Sequence, residues 1–124
     1  MNEPKTALIL SHGTPQPGRE REALQLQGRF LAHVRALRDS QRVHDARAYI
    51  LITGATHSRK GMLVIEGTRE AVDEIFWSKE WKALVAQASA LTHDVQLDLA
   101  VGGVLESLAG PSHIYAEAIQ ALGR

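Results

Sequence analysis

Apolar residues along this chain switch between two periods, and the switches mark its elements. Thr6-Ala7-Leu8-Ile9-Leu10 is a nearly continuous apolar run, the pattern of a strand buried on both faces. Ser11 to Gly18 ends it with a cluster of breakers, including Pro15 and Pro17, which makes a stiff loop. Ala23, Leu26, Phe30, Val34 and Leu37 then recur every three or four residues. They predict a long helix over Arg19 to Ser40, with Leu31 widening its stripe. The other side of that helix carries Arg21, Gln25, Arg29, Arg35 and Arg38. This face reads as solvated helix surface or, more sharply, as a phosphate-binding stripe.

Ala46 to Thr53 has strand composition, with Ala48, Ile50 and Ile52 on one face and Arg47, Tyr49, Leu51 and Thr53 on the other. A polar connector of hairpin length, Gly54 to Gly61, leads to a second continuous apolar strand, Met62 to Glu66. Thr68 and Ser78 are both good helix N-caps. They predict two helical pieces with a bend near Trp77 and Ser78: one carries Ala71, Val72, Ile75 and Phe76, the other Trp81, Leu84, Val85, Ala88 and Leu91. Asp94 to Val101 alternates without error, Val95, Leu97, Leu99 and Val101 against Gln96, Asp98 and Ala100, and predicts a half-buried strand. Ile114, Tyr115, Ala118, Ile119 and Leu122 predict a short C-terminal helix after Gly110-Pro111.

The order is β-α-β-β-α-β plus a tail helix, an α+β pattern with both helices on one face of a four-stranded antiparallel sheet. The first and third strands, with their continuous apolar runs, belong in the middle. The outer strands would turn Arg47, Tyr49 and Thr53, and Gln96 and Asp98, to the face without helices. That face also carries apolar side chains from the central strands, more than a monomer readily exposes. The economical solution is a two-fold homodimer with sheets face to face, leaving a pocket for a small organic ligand between them.

Composition narrows the function classes. At 124 residues the chain is expected to be a single domain, with a core over 6–103 and a helical tail over 104–124. It has no cysteine, which excludes a disulfide scaffold, a Cys-based zinc site, an Fe–S cluster and a Cys nucleophile. Lys+Arg 14 balances Asp+Glu 14, so there is no electrostatic case for nucleic acid or an anionic membrane. No apolar run approaches a bilayer span, and the polar start, Met1 to Lys5, is not a signal peptide. The expected location is the cytoplasm. Phosphate-binding glycine loops and a Gly-x-Ser-x-Gly elbow are absent.

Four stretches carry a resemblance: Ser11-His12-Gly13; Pro17-Gly18-Arg19-Glu20 with Ala23-Leu24; the strand Gly61 to Gly67; and Ser78-Lys79-Glu80-Trp81. They resemble an uncharacterised bacterial family of ferredoxin-like domains, related to the dimeric α+β barrel superfamily, over about residues 6 to 103. The superfamily includes quinol-type monooxygenases, lactone isomerases and haem-dependent enzymes. The resemblance implies a ferredoxin-like βαββαβ fold and a dimer, and it assigns no reaction.

Candidate chemistry centres on His12, where a central strand feeds a stiff loop. A histidine there suits general acid–base work. Glu66 ends the other central strand, and Asp98 lies on the polar face of the last one; either could orient His12. Arg47 and Tyr49 share a face and could grip an anionic or aromatic ligand. Against these stand plainer roles: a backbone-bonded loop histidine, solvated carboxylates and an edge-strand ion pair. His33 is expected to be solvated. His44, His57, His93 and His113 form no metal-ligand spacing, so no metal and no cofactor is expected. The expected function is binding of a small organic molecule in a dimer pocket, as a cofactor-independent isomerase or monooxygenase. The alternative is a non-catalytic ligand-binding or protein-interaction module. A remoter resemblance, Ser11-His12-Gly13 with His57 in Gly54-Ala55-Thr56-His57, is to small tetrapyrrole metal chelatases, whose fold needs a parallel sheet.

Overall fold

The computed structural model describes residues 5–53, 59–103 and 119–121. Strand β1 is Lys5–His12, helix α1 Glu20–Asp39, β2 Asp45–Ile50, β3 Gly61–Gly67, α2 Arg69–Phe76, α3 Lys79–Leu91 and β4 Gln96–Gly102. The sheet order is β2-β3-β1-β4, with every pairing antiparallel. The two continuous apolar runs occupy the centre, as their patterns require. An antiparallel sheet does not match the chelatase resemblance.

Register assigns each face. Leu8 pairs with Ile65 and Leu10 with Leu63, and all four are buried. Against them pack Leu26, Phe30, Val34 and Leu37 of α1, Val72 and Ile75 of α2, and Trp81, Ala88 and Leu91 of α3. The predicted stripes supply the observed core, except that Leu31, expected to widen the α1 stripe, is left exposed at the edge of the sheet. Phe30 and Trp81 join α1 to α3 edge to face, with centroids 5.6 Å apart.

The bend between α2 and α3 is built by its caps. Thr68 Oγ1 accepts from Ala71 N–H (3.1 Å) and Ser78 Oγ from Trp81 N–H (3.3 Å). Both outer strands differ in extent from expectation. β2 stops at Ile50 because β3 begins opposite it, at Gly61; the alternation over 51–53 continues past its partner, and Ile52 is left 95% exposed. β4 starts at Gln96 because Asp94 takes a left-handed conformation, φ 48°, that breaks the strand before it. Residues 119–121 are helical. The rest of the expected C-terminal helix, and residues 54–58 of the β2–β3 connector with His57, lie outside the described residues, as does His113.

Candidate functional site

The face opposite the helices is built in three ranks of four residues. Asp45, Glu66, Ala7 and Ala100 form the first, Arg47, Val64, Ile9 and Asp98 the second, and Tyr49, Met62, Ser11 and Gln96 the third. Helices α1, α2 and α3 pack on the other side. Ile9, Met62 and Val64 therefore make an apolar centre, with polar groups on the two edge strands. Four of the five residues singled out in the sequence, Glu66, Asp98, Arg47 and Tyr49, share this face, which is open among the described residues.

Charge on the face is concentrated along β2. Asp45 lies directly across from Glu66, a like-charge pairing that is unfavourable by itself. Asp45 is held below the ordinary carboxylate value by the Ala46 N–H first (2.9 Å to Oδ1) and then by Arg47, whose Nε donates to Oδ2 at 2.8 Å. The Tyr49 side chain, and Asp45 with it, hold the Arg47 proton more tightly than usual, so Arg47 stays charged. Arg47 is also a diagonal neighbour of Glu66, about 7–8 Å away between backbones. Glu66 is half-buried; its backbone carbonyl accepts from His44 N–H (2.8 Å), while its carboxylate has no hydrogen-bond or ion-pair partner among the described residues. It is an acceptor with free lone pairs on the rim of an apolar centre.

His12 does not join this group. It falls on the helix face, since it shares the parity of Leu8 and Leu10. Its rank partner is Gly61, whereas Glu66 is opposite Ala7, so five residues, about 17 Å, separate His12 from Glu66 along the sheet. Asp98 pairs with Ile9 on the opposite face from His12. The structure thus brings His12 to neither carboxylate.

What His12 does instead is visible in its bonds. Nδ1 donates to the Gly13 carbonyl (2.9 Å), and a carbonyl only accepts, which assigns the ring proton to Nδ1. The Nε2 edge lies where a Gly61 Cβ would stand. The loop beyond is tied to the end of α3 by Gly13 N–H to His93 O (2.7 Å), His93 N–H to Thr14 O (2.9 Å) and Gln16 N–H to Leu91 O (2.8 Å). His12 is a backbone-bonded histidine that closes one end of the sheet.

This stacking makes a prediction. Alanine in place of glycine in a strand normally stabilises by about 0.5–1 kcal/mol. Gly61→Ala is expected to destabilise instead, by about 1–3 kcal/mol, because the new methyl displaces the ring. In a His12→Ala background the same change should become neutral or favourable. Urea unfolding of the four-member cycle reads the coupling; additive effects would refute the contact.

His33, expected to be solvated, is half-buried, with Nε2 buried and unpartnered among the described residues. Among those residues no group of three or more His, Asp or Glu is arranged to hold a metal ion. No described helix is long and apolar enough to cross a membrane.

A separate cleft lies between α1 and β2, on the helix side of the sheet edge. It is lined by Leu31, Val34, Arg35 and Arg38 of α1, Ala46, Arg47 and Ala48 of β2, and Leu63, and its volume is about 90 Å³. Its origin is local. Ala46 and Ala48 lie on the helix side of β2, and their small side chains leave the space that Ile65 and Leu63 fill one strand further in. Their spacing puts Arg35 and Arg38 on one side of a helix, but which strand they meet depends on where α1 crosses the sheet.

No protein-family model and no curated protein matches the chain. Solved structures do. A dimeric ferredoxin-like protein of unknown function from Jannaschia sp. CCS1 superposes with TM-score 0.56 at 10% identity, over 80% of this chain and 99% of that one. A dimeric protein of unknown function and ferredoxin-like fold from Bacteroides fragilis NCTC 9343 gives 0.55 at 10%, over 77% and 94%. An ethyl tert-butyl ether D (EthD) family protein from Bacillus halodurans C-125 gives 0.53 at 16%, over 77% and 96%. At such identities the likeness is one of fold. Together with strand order, antiparallel pairing and one helix-covered face, it establishes that this chain is an α+β protein of ferredoxin-like βαββαβ fold, its second helix broken in two.

Proposed function

We propose that the chain forms a homodimer through its open face and binds a small organic molecule between the two sheets. The observation that carries this is the half-buried Glu66, its carboxylate unpartnered among the described residues, on the rim of an apolar centre. Two such faces, stacked, would enclose that centre and remove water from it. Glu66 then becomes a hydrogen-bond acceptor or proton acceptor in a dry cavity, where its interactions are stronger than in water. Arg47 and Tyr49 supply a cation and a phenol at one edge, and Asp98 a second carboxylate at the other. This set suits a cofactor-independent isomerase or monooxygenase, in which the carboxylate moves a proton on the ligand. Dimeric relatives of the same fold support the assembly. His12, locked to Gly13 on the other face, has no part in this reading.

The test is ligand-observed NMR on the wild-type protein with a panel of small quinols and lactones. Binding that is lost or weakened in Glu66→Gln and unchanged in His12→Ala supports the site. Equal binding by wild type and Glu66→Gln overturns it. For a compound that is turned over, Glu66→Gln should slow turnover by about 10²-fold or more if the carboxylate is the base. Weakened affinity with no turnover by either form assigns the non-catalytic module instead.

A further inference from the structure

The cleft between α1 and β2 lies on the helix side of the sheet and shares only Arg47, on the edge strand, with the proposed dimer cavity; its chemistry is different. Three of its eight lining residues are arginines, Arg35, Arg38 and Arg47. The rest are apolar: Leu31, Val34, Leu63 and two alanines. Two of the arginines have carboxylate partners. Arg38 reaches Asp39 Oδ1 at 3.2 Å through Nη2, and Nε reaches the same oxygen at the same distance. Arg47 reaches Asp45 through Nε. Arg35 has no ion-pair partner among the described residues. Three positive charges against two negative ones leave the cleft with one net positive charge.

The arginines around α1 divide into those with a side-chain partner and those without, and Arg21, in its first turn, has no ion-pair partner among the described residues. Arg19 is paired with Glu22, Arg29 with Gln87 of α3 through a hydrogen bond at 2.7 Å, and Arg42, past the helix, with Glu74. Arg29 and Arg42 thus tie the α1 region to α3 and α2, Arg19 bonds within its own turn, and of the arginines on α1 only Arg35 and Arg38 line the cleft.

Size decides what the void can take. A volume of about 90 Å³ is less than the roughly 150 Å³ that accommodates a benzene in an apolar protein cavity. It cannot enclose a whole metabolite. It can take one compact group, and guanidinium forks select planar or tetrahedral oxyanions. We infer that the α1–β2 cleft is an anion subsite, with Arg35 and Arg38 holding a phosphoryl group while Leu31, Val34 and the alanines form its dry floor. Arg47 forms the β2 wall. Asp45, which bonds Arg47 and feels the charge of Arg38, is the internal competitor for that anion.

The probe is inorganic phosphate, titrated into the full chain and followed by amide chemical shifts, with chloride at matched ionic strength as the control. Saturable shifts confined to residues 34–38 and 46–48 are expected with phosphate and not with chloride. Arg35→Gln should weaken the fitted affinity by about fivefold or more. Asp45→Asn, which removes the competing carboxylate, should tighten it. Linear, unsaturated shifts, shifts that chloride reproduces, or an Arg35→Gln protein that binds as well as wild type would each overturn the subsite. Phenyl phosphate binding more tightly than inorganic phosphate would extend the site to phosphomonoesters with an apolar body; equal binding would restrict it to the free anion. Asp45 and Arg47 also stand on the open face, but Arg35 does not, so a failed Arg35→Gln test leaves the dimer cavity untouched.

Discussion

Trp81→Ala is expected to destabilise the fold by about 3–5 kcal/mol, the range for deleting a buried large aromatic. Trp81 is 1% exposed and is the largest fully buried side chain. Its ring meets Phe30 edge to face and so couples α3 to α1. Against a total stability of about 5–15 kcal/mol, such a loss threatens folding itself. A fall in melting temperature on the order of 10–20 °C should be seen by calorimetry. Trp81→Phe is expected to behave very differently. The indole Nε1 is buried with no hydrogen-bond partner among the described residues, and an unsatisfied buried donor costs about 1–3 kcal/mol. Phenylalanine loses some packing but also removes that donor. The two terms oppose, and the net change should fall within about 1 kcal/mol. Equal losses for Ala and Phe would show that the indole N–H is satisfied after all.

Core and topology follow from periodicity because burial is what creates it. Leu26, Phe30, Val34 and Leu37 read as one stripe and pack as one. Thr68 and Ser78 read as caps and act as caps, since a cap is a local matter of one hydroxyl and one N–H. The site is less local. Pairing His12 with Glu66 by their common place at strand ends neglects strand direction: in an antiparallel pair those ends lie at opposite ends of the sheet, five residues apart. The βαββαβ order already contains that separation. The parity of His12 with Leu8 and Leu10 is hidden for another reason, because Ser11-His12-Gly13 reads as loop while β1 runs on to His12 against Gly61. Glu66 beside Arg47, and Arg35 and Arg38 across from Ala46 and Ala48, depend on register and on where α1 crosses the sheet edge. Neither leaves a mark on any single segment of sequence.

Val64→Lys is expected to abolish the proposed dimer while leaving the protomer folded. Wild type should sediment at micromolar concentration with twice the 13.6 kDa of the chain. Val64 lies in the middle rank, between Arg47 and Ile9, and would fall near the centre of two stacked faces. A protein interface of ordinary size covers about 800 Å² on each partner, and its core excludes charge. An ammonium forced into that core loses hydration worth several kcal/mol unless paired. Each 1.4 kcal/mol is about tenfold in affinity, so the dissociation constant should rise about 100-fold or more. In the free protomer the same lysine extends into water, so circular dichroism and unfolding should be little changed. Asp73→Lys, on the exposed side of α2, is the control: it alters net charge by the same sign but lies on the helix side of the sheet, and its sedimentation should match wild type. A wild-type monomer at micromolar concentration, or a Val64→Lys protein that still sediments as a dimer, would remove the enclosed cavity and with it the reason for Glu66 to act as anything but a solvated carboxylate.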